Sequence, residues 1–304
     1  MRNRKIIPNK EPLLTVALPV LNGGSQLGLS VASVLSQSFT NWELFIMDDG
    51  STDGAIDSLS TLSDPRIFIV KDGCNRGLSA RLNQAVSMAN GKYFARMDHD
   101  DICHPERFSR QIEYLESHLE IDLLATQCIT IDENDVINGT LPSVKNCEKI
   151  CIRPWQGFYI PHPTWMGRLE WFRQYPYREP APYCCEDQDL LLRAHLKSCY
   201  HSLTDRLLAY RVRSHAPWQK LLRTRIAMLN MQYEYFSSNK QWNNVALSTA
   251  MALARIVRDV WKVFYCTLKP SAAIYHGQMP SKTECYEWKQ VIKNLKTVSL
   301  KYLA

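Results

Sequence analysis

The sequence predicts an α/β protein: a mostly parallel central sheet with helices on both faces. Three observations carry this. From Leu13 to Leu119, short apolar runs alternate with stretches of helical period. Three of those runs end in polar loops, at Pro19–Gly24, Asp48–Asp53 and Asp98–Asp101. No internal repeat or low-complexity linker breaks the pattern.

Leu13–Leu18 is a short apolar strand, ended by Pro19, and Leu27, Val31, Val34 and Leu35 share one helical face. Trp42–Met47 is the second strand, closed by the acidic turn Asp48-Asp49-Gly50-Ser51-Thr52-Asp53. Arg66–Val70 is the third. A helix from about Ser79 to Ala89 presents Leu82, Val86 and Ala89 on one side. Tyr93–Met97 is the fourth strand and runs into Asp98-His99-Asp100-Asp101. Pro105 sits where a first helical turn tolerates proline, and Phe108, Ile112, Leu115 and Leu119 give the face of the helix it opens. Further on, Leu123–Ile131 is a strand and Asp132–Asp135 a turn, while residues 142–182 are rich in Pro, Trp and Tyr without clear period. Glu186-Asp187 opens a helix reaching Leu196, and Leu207–Tyr210 is strand-like. From Leu253 a helical stripe runs through Ile256, Val257, Val260, Phe264 and Leu268, with Arg255, Arg258 and Lys262 off it.

The chain of 304 residues is 45% hydrophobic and 22% charged, which suits a globular protein with a sizeable core. Its charge is uneven. From Arg211 onward there are 15 Lys+Arg against 4 Asp+Glu, a net of +11; the 210 residues before it carry 21 against 26, a net of −5. An acidic body with a basic tail predicts a tail that meets an anionic surface and a body that does chemistry with a metal; no nucleic-acid partner is expected. The basic start, Met1 to Pro8, has no apolar stretch behind it, and no run approaches the length of a membrane span. The ten cysteines are therefore expected to be reduced thiols of the cytoplasm. Neither Cys147 with Cys151 nor Cys184-Cys185 makes a recognisable zinc set.

Crowded carboxylates at a strand end repel unless something positive sits between them. The usual partner is a hard divalent cation, held by one or two carboxylates together with a substrate's phosphates. In open α/β sheets the ligand lies beyond the carboxyl ends of the strands, where these loops gather. Taken alone, Asp48–Asp53 reads equally well as a solvated turn. The ordered set says more: Pro19-Val20-Leu21-Asn22, Asp48-Asp49-Gly50-Ser51, Asn75-Arg76-Gly77-Leu78 with Arg81, Asp98-His99-Asp100-Asp101, and Glu186-Asp187.

That set resembles the family-2 glycosyltransferases, inverting enzymes with the Rossmann-like nucleotide-binding fold called GT-A, over roughly residues 13–215. The resemblance implies that Asp49 accepts a hydrogen bond from a uracil or thymine ring, with Pro19, Asn22 and Ser51 shaping the base and ribose pocket. By the same likeness Arg81 lies near the base or phosphates, Asp98 faces the ribose or donor sugar, and Asp100 ligates Mn2+ or Mg2+. Asp187 is the expected general base, with Glu186 in reserve; a helix N-terminus suits an ionised carboxylate, although acids favour such positions anyway. His162, in His162-Pro163-Thr164-Trp165, is expected on the acceptor side or as a packed structural histidine. Arg213 stands where relatives often carry a histidine, and by the resemblance either it or His215 closes over the diphosphate. Gln219-Lys220-Leu221-Leu222-Arg223 lacks the spacing and the tryptophan of the processive members, which implies one sugar per binding event.

The expected organisation is a tail at 1–12, a GT-A domain at 13–215 with a nucleotide half at 13–101 and an acceptor half at 102–215, and a basic helical extension at 216–304. The implied partners are a UDP-sugar, with dTDP-sugars open, and a glycan or polyprenyl-linked acceptor in lipopolysaccharide, capsule or exopolysaccharide synthesis. The C-terminal stripe either packs on the body or rests on an anionic membrane, peripheral at the inner face. The competing readings are a catalytically idle module that binds a sugar nucleotide or glycan, and a nucleotidyltransferase. The first should lack one of Asp98, Asp100 and Asp187; the second should carry a glycine-rich phosphate loop that Gly23-Gly24 does not supply.

Overall fold

A computed structural model describes residues 11–142, 144, 147–212, 218–268 and 277–303. Four strands form its N-terminal half: β1 (Leu14–Val20), β2 (Trp42–Asp48), β3 (Ile67–Val70) and β4 (Tyr93–Arg96). They lie parallel in the order β3-β2-β1-β4. Alternation along β1 splits the core. Leu14, Val16, Leu18 and Val20 face α1 (Gln26–Leu35) and α3 (Arg107–Ser117), while Ala17 faces α2 (Leu78–Met88) together with Phe45, Met47 and Phe94. Each such fully buried aliphatic side chain contributes about 1.5–3 kcal/mol.

β1 continues through Pro19, which the sequence pattern had ending it. Ala17 O accepts from Met97 N, so the odd-numbered residues of β1 turn their backbone groups toward β4. The last β1–β4 pair is Ala17 with Arg96, so the donor that Pro19 lacks falls beyond the end of β4. Proline there costs no ladder bond.

The sheet is mixed, which corrects the expectation of a mostly parallel one. β8 (Met166–Arg168) inserts antiparallel between β4 and β6 (Leu123–Ile131), and β9 (Tyr200–Arg211) runs parallel to β6. β5 (Ile102–Cys103) pairs antiparallel with β9, and β7 (Ile137–Thr140) antiparallel with β6. β5 and β8 are too short for residue alternation to reveal. α3 stops at Ser117, so Leu119 lies outside it and is exposed. α4 (Cys147–Cys151) and α5 (Leu169–Gln174) are short, and α6 spans Glu186–Ala194. The C-terminal part holds α7 (Trp218–Ser238), α8 (Trp242–Leu268) and α9 (Lys282–Leu303), so α8 begins well before Leu253. α9 buries Trp288, Ile292 and Leu295 against Leu29, Ile102 and Ile129.

Gly91, at the entry to β4, is a point of close approach. A methyl group there would meet Thr15 N at 2.6 Å and Tyr93 O at 2.8 Å, both backbone atoms that cannot swing away. Gly91→Ala is expected to destabilise the protein by about 1–3 kcal/mol, read as a lowered denaturant midpoint.

Candidate active site

Strand register assembles the site. Val20 pairs with Asp48 at the end of β1 and β2, Asp49 N donates to Val20 O, and β4 ends one residue before Met97. Three polar loops therefore leave the same edge of the sheet. The first two are fastened together: Ser51 Oγ accepts from Asn22 N at 3.0 Å, Asn22 Oδ1 from Thr52 N at 2.9 Å, and Asp53 Oδ2 from Gly24 N at 2.7 Å. Asn22 holds φ 53°, a left-handed conformation that asparagine tolerates better than most residues.

Asp49 is buried and accepts from Arg76 N at 2.7 Å, Gly77 N at 3.0 Å and Arg81 Nε at 3.0 Å. The rest of the Arg81 guanidinium grips Asp72 at 2.7 and 3.2 Å, Gln84 Oε1 at 2.9 Å and Cys74 O. Hydrogen bonding to Arg81 holds the Asp72 carboxyl down at about 2. Arg81 is fully buried with its donors engaged, so it acts by shaping the Asp72–Leu78 loop around Asp49.

At the end of β4, the buried Arg96 holds Asp98 with both terminal nitrogens, at 2.6 and 3.1 Å. Burial opposes ionisation of Asp98, but the Arg96 charge and hydrogen bonds outweigh it and keep that carboxyl below its ordinary range. Asp101 is buried too. Its Oδ1 accepts from Arg211 N at 2.8 Å, its Oδ2 has no partner, and burial beside Asp98 and Asp100 pushes its pKa well up. Arg211 further pins the turn by donating to Asp100 O at 2.8 Å while pairing with Asp135 at 2.7 Å.

Asp98 opens onto a cavity of about 380 Å³ shared with Tyr159, His162, Glu186, Asp187 and Tyr210. His162, in a one-turn 3-10 segment His162–Thr164, lies tilted against Trp165 with ring centres 4.4 Å apart. Its Nε2 lies 2.7 Å from the Tyr177 hydroxyl and its Nδ1 3.7 Å from Glu186 Oε1. Glu186, Asp187 and Asp189 occupy the first turn of α6. Asp189 turns inward to Arg178 and Arg193, at 3.1 and 2.8 Å, and anchors the helix. Asp187 accepts from Gln188 Nε2 at 3.1 Å. Burial, reinforced by the Glu186 charge, raises the Asp187 carboxyl. Burial pulls Glu186 the same way, yet His162 and Arg96 overcome it and hold Glu186 low. Adjacent carboxylates driven in opposite directions are a recurrent arrangement for acid–base chemistry.

The cavity thus brings together Asp98, His162, Glu186 and Asp187. It does not include Pro19, Asn22, Asp49 or Ser51, which stand at the ends of β1 and β2, or Arg81, which stands in the first turn of α2. Asp100 lies on the turn beside it, its charge felt by Tyr210 on the cavity wall. Arg213 and His215 lie outside the described residues. Sequence reading missed Arg96, Tyr177 and Arg211. Arg96 had a signal: a charged residue inside an apolar strand, two positions from an aspartate and so on the same face.

Among the described residues no three His, Cys, Asp or Glu side chains gather to hold a metal. Both Asp98 oxygens accept from Arg96, and Asp100 stands on the adjoining turn, its backbone oxygen held by Arg211. Among the described residues, the acidic turn at the end of β4 fits a cation carried in with a diphosphate.

The profile of glycosyl transferase family 2 matches residues 15–175. EpsE of Bacillus subtilis (strain 168) is 36% identical over 140 residues, covering 45% of this chain and 50% of EpsE. The chain thus spans about half of EpsE, and 19% of the bifunctional glycosyltransferase pgtA of Dictyostelium discoideum. A longer match joins it to an uncharacterized glycosyltransferase of Methanocaldococcus jannaschii, 26% identical over 85% of this chain and 87% of that one. Among solved structures, S. aureus TarS 1-349 superposes with a TM-score of 0.58 at 16% identity, over 95% of this chain and 82% of its own. The fold is therefore shared with TarS. With its matched segment spanning more than half of its length, the chain belongs to glycosyltransferase family 2.

Proposed function

We propose that the protein is an inverting transferase of the GT-A type, moving a single sugar from a nucleotide diphosphate to a glycan or polyprenyl-linked acceptor in surface-polysaccharide synthesis. One observation carries the reading: Asp98 with its Arg96 partner and the oppositely shifted Glu186–Asp187 pair face one cavity. Relatives support the biological setting. TuaG of Bacillus subtilis (strain 168), 37% identical over 109 residues, is described by its teichuronic acid biosynthesis. TarS binds UDP and UDP-GlcNAc, and the mannosyltransferase PcManGT of Pyrobaculum calidifontis, TM-score 0.51, binds GDP-Man and Mn2+.

In this mechanism the base seats beside the Asp49-organised loop, with Pro19, Asn22 and Ser51 around it and Arg81 holding Asp49 in place. Asp98, fixed by Arg96, orients the donor sugar. Asp187 takes the proton of an acceptor hydroxyl as its oxygen bonds the anomeric carbon from the side opposite the diphosphate. The bond from that carbon to the diphosphate oxygen breaks, inverting the centre. Glu186, kept ionised by His162, maintains the high proton affinity of Asp187. Asp100 would hold Mn2+ or Mg2+, which when bound neutralises charge on the departing diphosphate. Arg213 is kept as a further diphosphate contact.

A UDP-sugar is the preferred donor, with dTDP-sugars as the alternative. Residues 13–215 form the catalytic unit and 216–304 an accessory one. The idle-module reading is disfavoured because Asp98, Asp100 and Asp187 are all retained. Among the described residues no helix is long and apolar enough to cross a membrane, so a lipid-linked acceptor would be met at the membrane surface. Thermal-shift measurements with UDP, dTDP and GDP, each with and without Mn2+, should show stabilisation by nucleotide with a further part that needs both nucleotide and metal. Indifference to every nucleotide would defeat the proposal.

A further inference from the structure

α8 is amphipathic in an unusual sense: its apolar side looks outward. The packed side is polar in part. Ser248 and Ala252 are buried, Arg255 donates to Gln156 O at 2.6 Å and lies 3.1 Å from the Tyr159 hydroxyl, and Asp259 pairs with Arg225 of α7 at 2.8 Å. On the opposite side, Trp242, Leu253, Val257, Val260 and Trp261 are each 56–66% exposed. Between Trp242 and Trp261, Arg258 is the one exposed charged residue. The stripe runs about 30 Å along the helix. A surface helix normally shows water its charged face, and an exposed apolar band this long marks a contact surface.

We propose that the outward face of α8 seats the protein on an anionic lipid surface, with the helix lying in the headgroup plane. Charge selects this occupant. The segment from Arg211 onward carries a net +11, against −5 for the rest of the chain, so the tail is drawn to an anionic bilayer while the body is repelled. A second copy of the chain would bring two such positive segments together, which disfavours a homodimer through this face. Trp242 and Trp261 bracket the stripe, and tryptophan favours the boundary between lipid and water. The face lies beyond residues 15–175, so it belongs to this chain's extension and not to its family match.

The contact also has a direction. Tyr159 lines the active-site cavity and touches Arg255 on the inner side of α8, so the lipid face sits about one helix diameter from the cavity wall. A membrane-held acceptor is thereby presented to the cleft. The proposal goes beyond the transferase reading and needs no turnover to test.

The test is co-sedimentation of the full chain with vesicles of phosphatidylcholine alone or mixed with phosphatidylglycerol. Binding should be roughly tenfold or more stronger to the mixed vesicles and should be released by high salt. The double variant Val257→Glu/Trp261→Glu should lose roughly a hundredfold in partitioning while keeping the wild-type melting profile. Should it fail to fold, Val257→Ser/Val260→Ser alters the same exposed face more gently and should weaken binding in the same direction. Absence of binding, or equal binding to neutral and anionic vesicles, would overturn the proposal. So would a lipid-free dimer, seen by light scattering, that these substitutions dissociate.

Discussion

Asp187→Asn is expected to abolish transfer while leaving donor binding intact. The substitution keeps the shape of the side chain and its contact with Gln188 but removes the proton acceptor. General-base losses run to about 10²–10⁴-fold in rate, and here the loss should fall on kcat, with the donor's Kd unchanged. The wild-type pH profile carries a second signature. The Asp187 carboxyl is raised from its ordinary value of 3.8 by burial, so it retains its proton to higher pH than an exposed aspartate. Activity should therefore fall, as pH drops, along an acidic limb centred above 3.8. Weakening the Glu186 charge by Glu186→Gln should move that limb downward, because a neighbouring negative charge no longer opposes ionisation of Asp187. Full turnover by Asp187→Asn would reassign the base.

Asp100→Asn is expected to uncouple metal from donor. The thermal shift that needs both Mn2+ and nucleotide should vanish, and kcat should fall by roughly 10²–10³-fold, the scale of losing one preorganised group at developing charge. Nucleotide binding without metal should survive, since the loop around Asp49 is held by Arg76, Gly77 and Arg81 and does not involve Asp100. A variant that still responds to Mn2+ as wild type does would move the cation to other ligands.

The N-terminal half was legible because its strands are apolar runs bounded by polar loops and its helices carry apolar residues at helical spacing. β1, β2, β3 and β4 fall within one or two residues of the apolar runs that predicted them. What could not be read was set by contacts distant in sequence. β8 exists because Met166 and Gly167 pair with Leu124 and Leu123 on one side and Ala95 and Phe94 on the other, a position that three residues cannot announce. Pro19 reads as a terminator in the sequence because its missing donor matters only against a neighbouring strand, whose end is not visible locally. The candidate site divides the same way. Glu186 and Asp187 were legible as acids opening a helix, but their opposite shifts depend on His162, held by Tyr177 from a stretch without period.

β8 also constrains how the cleft can move. Its three residues pair with β4, two residues beyond which stands Asp98, and Met166 and Gly167 also pair with β6. One continuous ladder therefore joins β4 to β6, and a hinge that swung them apart would have to unzip it. Substrate engulfment in this protein should accordingly be the work of loops at the rim, over jaws that stay locked.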